Sequence, residues 1–256
     1  MSKLGPAVRL SSSFIVVTAP PAMQIFRSDL PHCAELTGAV VVIDVLRSFT
    51  TSAVALAQGA DEVIAVDSLD AALALRRRDP QSLAIGALGG GAPAPGLDLG
   101  NSPSQLTGLD LRGRSCILYT AGGTRALNAC GHADLVLAAS LVCASATAAR
   151  LRALAPARIT LVVTGVWTDR DGDEDHACAD LIEALLRGDD PPRAPYAARV
   201  HASDFGRRFT AGDNPHLPPA DLDCCAAVDH YDFAMPITRC PTGMVIRRTH
   251  GLASAF

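Results

Sequence analysis

What this chain lacks narrows its function before any motif is read. No run of about 18 apolar residues occurs, so no membrane-spanning helix is expected. No basic stripe occurs: 22 lysines and arginines face 26 carboxylates, for a net charge of −4, which argues against nucleic acid as a partner. There is no CxxC pair and no clustered Cys/His spacing of the kind a zinc site uses. The eight cysteines, at 33, 116, 130, 143, 178, 224, 225 and 240, read instead as small buried hydrophobes. Two of them, Cys116 in SCILY and Cys178 in HACADLIEALL, sit inside apolar stretches. The opening MSKLGPAVRLSSSF has no long apolar segment of a secretory signal, so a cytoplasmic location away from membranes is the default expectation.

With 256 residues, 49% of them hydrophobic, the chain is long enough to bury roughly 70–75% of its unfolded surface without disulfide or metal staples. Either one large domain or two lobes is compatible with that length, with a linker near 188–196 around PPRAP. Short apolar runs alternate with alanine-rich amphipathic stretches. Strands are expected at 13–19, 40–45, 62–67, 82–86, 115–120, 133–139 and 158–165. Between them lie helices in TTSAVALAQGA, in SLDAALALRRR capped by Ser68, in TRALNAC, in LVCASATAARLRALA and in DEDHACADLIEALLRG. YAARVHASDFGRRF and DLDCCAAVDHY read as helices, and MVIRR as a last strand. This alternation implies an α/β fold, three layers in an α/β/α sandwich around a largely parallel or mixed sheet.

In such sheets ligands bind beyond the carboxyl ends of the strands, which directs attention to four stretches. VVIDVLRSFTTSA places Asp44, Arg47, Thr50 and Thr51 after an apolar strand. GLDLGNSP carries Asp98, Asn101 and Ser102; TAGGTR carries Gly123, Thr124 and Arg125; TDRDGDEDH carries Glu174 and Asp175. The carboxylates of Asp44, Asp98, Glu174 and Asp175 are hard oxygen donors suited to Mg²⁺. Glycine turns that open helices present amides to phosphate or sulfonate, and arginines add bidentate contacts. Each feature has a structural counterpart. Asp44 could cap the following helix, TAGGTR could be a tight turn only, and Glu174 and Asp175 suit a helix dipole without any chemistry. DRDGDEDH resembles an EF-hand loop but lacks its final glutamate, which argues against calcium.

Taken in order, VVIDVLRSFTT, GLDLGNSP, TAGGTRAL, EDHACADLI and SDFGRR resemble the 2-phosphosulfolactate phosphatase family over roughly residues 40 to 235. The resemblance implies a three-layer α/β fold and a Mg²⁺-dependent hydrolase that removes phosphate from a sulfonated three-carbon acid. It implies catalytic roles for Asp44, Arg47 and Arg125, and contacts to a small anionic metabolite from Thr50, Thr51, Asn101, Ser102, Gly123 and Thr124. Metal ligation falls to Asp44, Asp98, Glu174 and Asp175. Oligomeric state is not fixed, and a homodimer is one arrangement.

Five positions depart from the family pattern. Phe49 stands for a serine, Ala87 and Leu88 for a glutamate and an arginine, and Gly122 and Cys143 for asparagines. Phosphate-monoester hydrolysis needs acceleration approaching ~10²¹-fold, and losing one preorganised electrostatic group costs about 10²–10³. A changed ligand therefore follows more readily than an unchanged substrate. The alternatives are a family pocket turned to a lyase or transferase step, or a non-catalytic anion-binding protein.

Overall fold

The computed structural model describes residues 23–88 and 91–250; the strand expected at 13–19 lies outside them. Strands β1 (Gln24–Asp29), β2 (Ala39–Ile43), β6 (Leu135–Ala139) and β7 (Arg158–Val163) form one parallel group in the order β1-β7-β2-β6. Strands β3 (Glu62–Val66), β4 (Leu83–Gly86) and β5 (Ser115–Tyr119) form a second, in the order β3-β5-β4. A C-terminal hairpin of β8 (Phe233–Cys240) and β9 (Gly243–Ile246) joins them, antiparallel to both, and a short β10 (Thr249–His250) pairs with β8. β8 changes partner along its length: Met235 and Pro236 face β6, while Ile237–Cys240 face β9. The sheet is mixed and mostly parallel, with helices on both faces, as a three-layer α/β/α fold requires.

The strands buried on both faces read as continuous apolar runs, as expected for parallel sheet covered twice. In β2, Val40 and Val42 face one core while Ala39, Val41 and Ile43 face another. The first core holds α1 (Ser48–Ala57) and α4 (Gly123–Ala129) between the two strand groups, with Val63, Ala65, Ile85 and Leu118 on the far side. Every residue of α1 from Ser48 to Leu56 is buried, which suits its small and apolar composition. The second core packs α5 (Ala144–Leu154), α6 (Asp173–Arg187), α7 (Ala194–Ala202), α8 (Gly206–Ala211) and α9 (Pro219–Ala226) against β2 and β7. Val200, Phe209 and Leu222, which follow the proline-rich stretch, share that core with Leu181 and Leu161. The remaining face of β3, β4 and β5 is covered by α2 (Leu69–Arg78).

Several sequence expectations are met closely. Ser68 caps α2 by accepting the Ala71 amide, and the acidic first turn Asp173–Asp175 opens α6. The single helix expected over 196–209 is two. Ser203 adopts an extended backbone (ψ 156°) and its hydroxyl accepts the Gly206 amide, which ends α7 and starts α8. Phe49, taken from sequence as a lost polar group of the pocket, is fully buried in the core shared by the two strand groups. Cys143 is equally buried, its thiol directed to the Ser140 carbonyl. Phe49→Ala is therefore expected to cost about 3–5 kcal/mol of stability, read by urea denaturation; a variant as stable as the parent would contradict this placement.

Candidate functional site

A small cleft of about 100 Å³ opens where the carboxyl ends of β2, β4, β5 and β7 meet. Asp44, Arg47, Ser48, Ala87, Asn101, Thr120, Gly122, Thr164, Asp175 and Arg170 line it, so residues from both strand groups contribute.

Asp44 follows β2 directly and is buried. Its Oδ1 accepts the Ser48 amide at 2.9 Å, and its Oδ2 accepts the Gly123 amide at 2.9 Å. One carboxylate thus satisfies the first turn of α1 and the first turn of α4, where unpaired amides carry partial positive charge. A Cβ at Gly123 would stand 2.8 Å from Asp44 Oδ2 and 3.0 Å from Phe49 Cζ, so the close approach requires glycine. The Ser48 hydroxyl adds a bond to Thr120 Oγ1 at 3.0 Å.

Asp175 plays a matching part beside it. Its Oδ1 accepts the Val45 amide at 2.8 Å, and its Oδ2 accepts the amides of Thr164 at 2.9 Å and Gly165 at 2.7 Å. This clamps the ends of β2 and β7 onto the start of α6. Burial, with the charges of Glu174 and Asp44 adding to it, pushes the Asp175 carboxyl well above its ordinary range. Burial pushes Glu174 up to about 7, and the charges of Asp171 and Asp44 add to this. Glu174 Oε2 is buried with no hydrogen bond to any described residue. A Cβ at Gly165 would lie 2.9 Å from Glu174 Oε1 and 3.1 Å from Asp175 Oδ2, which places both carboxylates against the same backbone.

Arg47 is buried and anchored. Its Nη1 donates to Asp221 Oδ2 at 2.6 Å and to the His216 carbonyl at 3.0 Å, with the guanidinium 5.4 Å from the centre of the Phe209 ring. Asp221, fully buried on α9, also takes Ser102 Oγ at 2.7 Å, the Ser104 amide at 3.0 Å and Ser104 Oγ at 2.6 Å. The Ser102 hydroxyl therefore serves Asp221 and not a ligand. Asn101 lines the cleft at 6% exposure, and its side-chain oxygen has no hydrogen-bond partner among the described residues.

Other sequence candidates are placed elsewhere. Asp98, expected as a metal ligand, is paired in a fork with Arg76 (2.9 and 3.2 Å) and accepts the Ala84 amide, away from the cleft. Arg125, expected to stabilise phosphoryl charge, is exposed on α4 and does not line the cleft. Thr50 donates to the Val45 carbonyl and bonds the Ser140 hydroxyl. Thr124 closes the turn after β5 through the Thr120 carbonyl and amide. Thr51 is buried outside the cleft lining, and its hydroxyl has no hydrogen-bond partner among the described residues. Gly123 contributes by spacing, as above. No cysteine or histidine lines the cleft.

The cleft also uses residues that sequence reasoning passed over. Thr164 donates to the Ile43 carbonyl at 3.0 Å. Trp167 and Arg170 exchange backbone hydrogen bonds across a tight turn, which aims both side chains at the opening. Trp167 is the chain's one tryptophan, placed directly after the strongest strand, and was the available signal. Asp221, distant in sequence by 174 positions from Arg47, offered none.

With this geometry in place, comparison with known proteins is informative. The model of the 2-phosphosulpholactate phosphatase family matches residues 25–238. A probable 2-phosphosulfolactate phosphatase of Synechococcus sp. (strain RCC307) is 37% identical over 219 residues, 76% of this chain and 86% of the relative. Proteins of the same description from Symbiobacterium thermophilum (36%, covering 71% of this chain and 78% of the relative) and Bacillus subtilis (29%, 77% and 86%) are similar. The chain belongs to this family. Among its described helices, none is long and apolar enough to cross a membrane.

Removing Asp221 would leave the Arg47 guanidinium buried and unpaired. Asp221→Ala is expected to cost about 3–5 kcal/mol, measured by denaturation, whereas Ser104→Ala removes one of several bonds to that carboxylate, keeping the backbone amide, and costs less. Equal stability for Asp221→Ala and the parent would overturn the assignment of Arg47 as an anchored cation.

Proposed function

We propose that this member of the 2-phosphosulpholactate phosphatase family is a phosphoric monoester hydrolase acting on a small phosphorylated acid. The observation that carries the reading is one cleft holding buried carboxylates (Asp44, Asp175) beside two guanidinium groups (Arg47, Arg170). Carboxylates alone would repel a phosphate, and arginines alone would only bind it. Together they are the components of phosphoryl transfer, in which positioning and charge stabilisation dominate.

In this reading Arg47, held rigid by Asp221, faces the phosphoryl oxygens, and the buried Asn101 amide supplies a further polar contact. Water attacks phosphorus; the new O–P bond forms as the ester O–P bond breaks, giving inorganic phosphate and the free hydroxy acid. No covalent nucleophile is assigned: the Ser48 hydroxyl is bonded to Thr120, and Asp44 is kept for anchoring two helix starts and holding a metal ion. Asp44 holds its hydrogen-bonded position throughout and keeps the first turns of α1 and α4 at the cleft.

The donor set fits Mg²⁺. Glu174 has a buried oxygen without a partner among the described residues, and each Asp44 oxygen accepts a single amide, so each has remaining acceptor capacity. Asp175 is more fully committed, with two amides on one oxygen, and orients the strand ends. Among the described residues no three Asp, Glu, His or Cys side chains form a closed cage. Mg²⁺ retains waters and is held by one or two carboxylates together with a substrate phosphate. Asp44 and Glu174 would hold the ion, which when bound supplies Lewis-acid polarisation and a more acidic water. A cytoplasmic setting accords with the reading, since it requires no membrane or secretion step.

Asp44→Asn is expected to lower kcat for phosphate release from 2-phosphosulfolactate or 2-phospholactate by about 10²–10³, with the circular dichroism of the folded chain retained. Glu174→Gln should raise the Mg²⁺ concentration needed for half-maximal rate. Wild-type protein that releases no phosphate from either ester in the presence of Mg²⁺ would overturn the proposal, as would an Asp44→Asn variant as active as the parent.

A further inference from the structure

We infer that the substrate carries an apolar substituent larger than a three-carbon acid, and that this group occupies a second compartment gated by Arg170, Trp167 and Phe205. The inference rests on the phosphatase reading of the cleft and adds the chemistry of the other end of the ligand.

The first observation is one of volume. The Asp44 cleft offers about 100 Å³, enough for a phosphoryl group and a short acid. It opens into a neighbouring cavity of about 550 Å³, and the two share Ala121, Trp167, Arg170 and Phe205. Sites that hold a sizeable organic group run to ≈ 300–1,000 Å³. The second compartment falls in that range and the first does not.

The second observation is the chemistry of the walls. Soluble proteins scatter exposed large hydrophobics singly, yet here Leu88 and Trp167, at 45% and 38% exposure, line one opening. Ala87 extends the same apolar side, and Phe205 and Leu217 floor the larger compartment. Asp169, Arg208, Asp213 and Asn214 line the rest of that compartment, Asp169 and Arg208 paired with each other at 3.0 Å, so an alkyl or aryl group has the Trp167 and Phe205 rings and Leu217 to lose water against.

The third observation is Arg170. Its guanidinium lies 4.5 Å from the Phe205 ring centre and 5.4 Å from that of Trp167. Among the described residues its buried Nε has no hydrogen-bond acceptor, and Asp169 Oδ1 lies 3.9 Å away. A desolvated donor fixed between two rings at the junction suits the carboxylate or sulfonate of a substrate whose phosphate points to Arg47 and whose substituent points outward. The ligand class is therefore a phosphorylated 2-hydroxy acid with a bulky apolar, preferably aromatic, side chain.

Two esters test this: 2-phospholactate and its phenyl homologue, 2-phosphooxy-3-phenylpropanoate. The phenyl ester should show kcat/KM about tenfold higher or more, expressed mainly in KM. That ratio should fall towards one in Trp167→Ala and in Ala121→Trp, which fills the junction. The non-hydrolysable phosphonomethyl analogues of both compounds, titrated calorimetrically into the full-length wild-type chain, read the same preference without turnover. A calorimetric preference with neither ester hydrolysed supports the compartment and overturns only the phosphatase reading. Equal affinities, equal kcat/KM values, or a ratio unmoved in both variants would overturn the inference.

Discussion

The position of Asp44 is the constraint on which the rest of the molecule depends. The two parallel strand groups are joined in the sheet only through an antiparallel hairpin, and counting senses across it they run in opposite directions. A flat sheet would therefore place their carboxyl ends on opposite edges. Instead α1 and α4 lie between the groups, and a carboxylate from the end of β2 binds the first amides of both helices. Buried amides at helix starts are costly unless paired, and an anion there is favoured twice, by hydrogen bonding and by the helix dipole. Satisfying these amides brings the ends of β2 and β5 to one point. The cleft follows from that junction.

The same economy brings a cost. Glu174 and Asp175 are buried beside Asp44, and desolvation first, with neighbouring carboxylate charges second, raises the protonation of both. A fold selected for stability alone would dilute such a cluster, and perturbed carboxylates gathered in a cleft mark functional sites. Across the cleft, Arg47 is neutralised by Asp221 from α9. Its charge is held in place by a chain segment that otherwise takes no part in the site, and α9 thereby belongs to the functional architecture and not only to the outer core.

Much of this was legible in sequence, for identifiable reasons. The parallel strands announce themselves as continuous apolar runs, and Asp44 stands out because it interrupts one. The hairpin strand β8 was missed because Pro236 disrupts the strand signal. β1 was missed because four of the six residues of QIFRSD are polar; among the described residues it pairs with β7 alone. Motif spacing placed Asp98, Arg125, Thr50 and Ser102 at the right ends of strands but could not say which way each faced; local partners (Arg76, Ser140, Asp221) took Asp98, Thr50 and Ser102, and Arg125 is exposed on α4. Phe49 and Cys143 looked like losses from the pocket and are core, whereas Ala87, Leu88 and Gly122 do line it. Three of the five departures thus fall in the lining of the cleft.

The account's central claim is that a phosphoryl group is bound and transferred in the cleft framed by Asp44, Arg47, Asn101 and Arg170. A crystal structure with orthovanadate and Mg²⁺ tests this most directly, because vanadate adopts the geometry of the phosphoryl group in transit. The account predicts vanadate in this cleft, contacted by Arg47 and Asn101, with the cation on the Asp44–Glu174 side. Vanadate bound at another surface, with the Asp44 cleft holding only water, would contradict it.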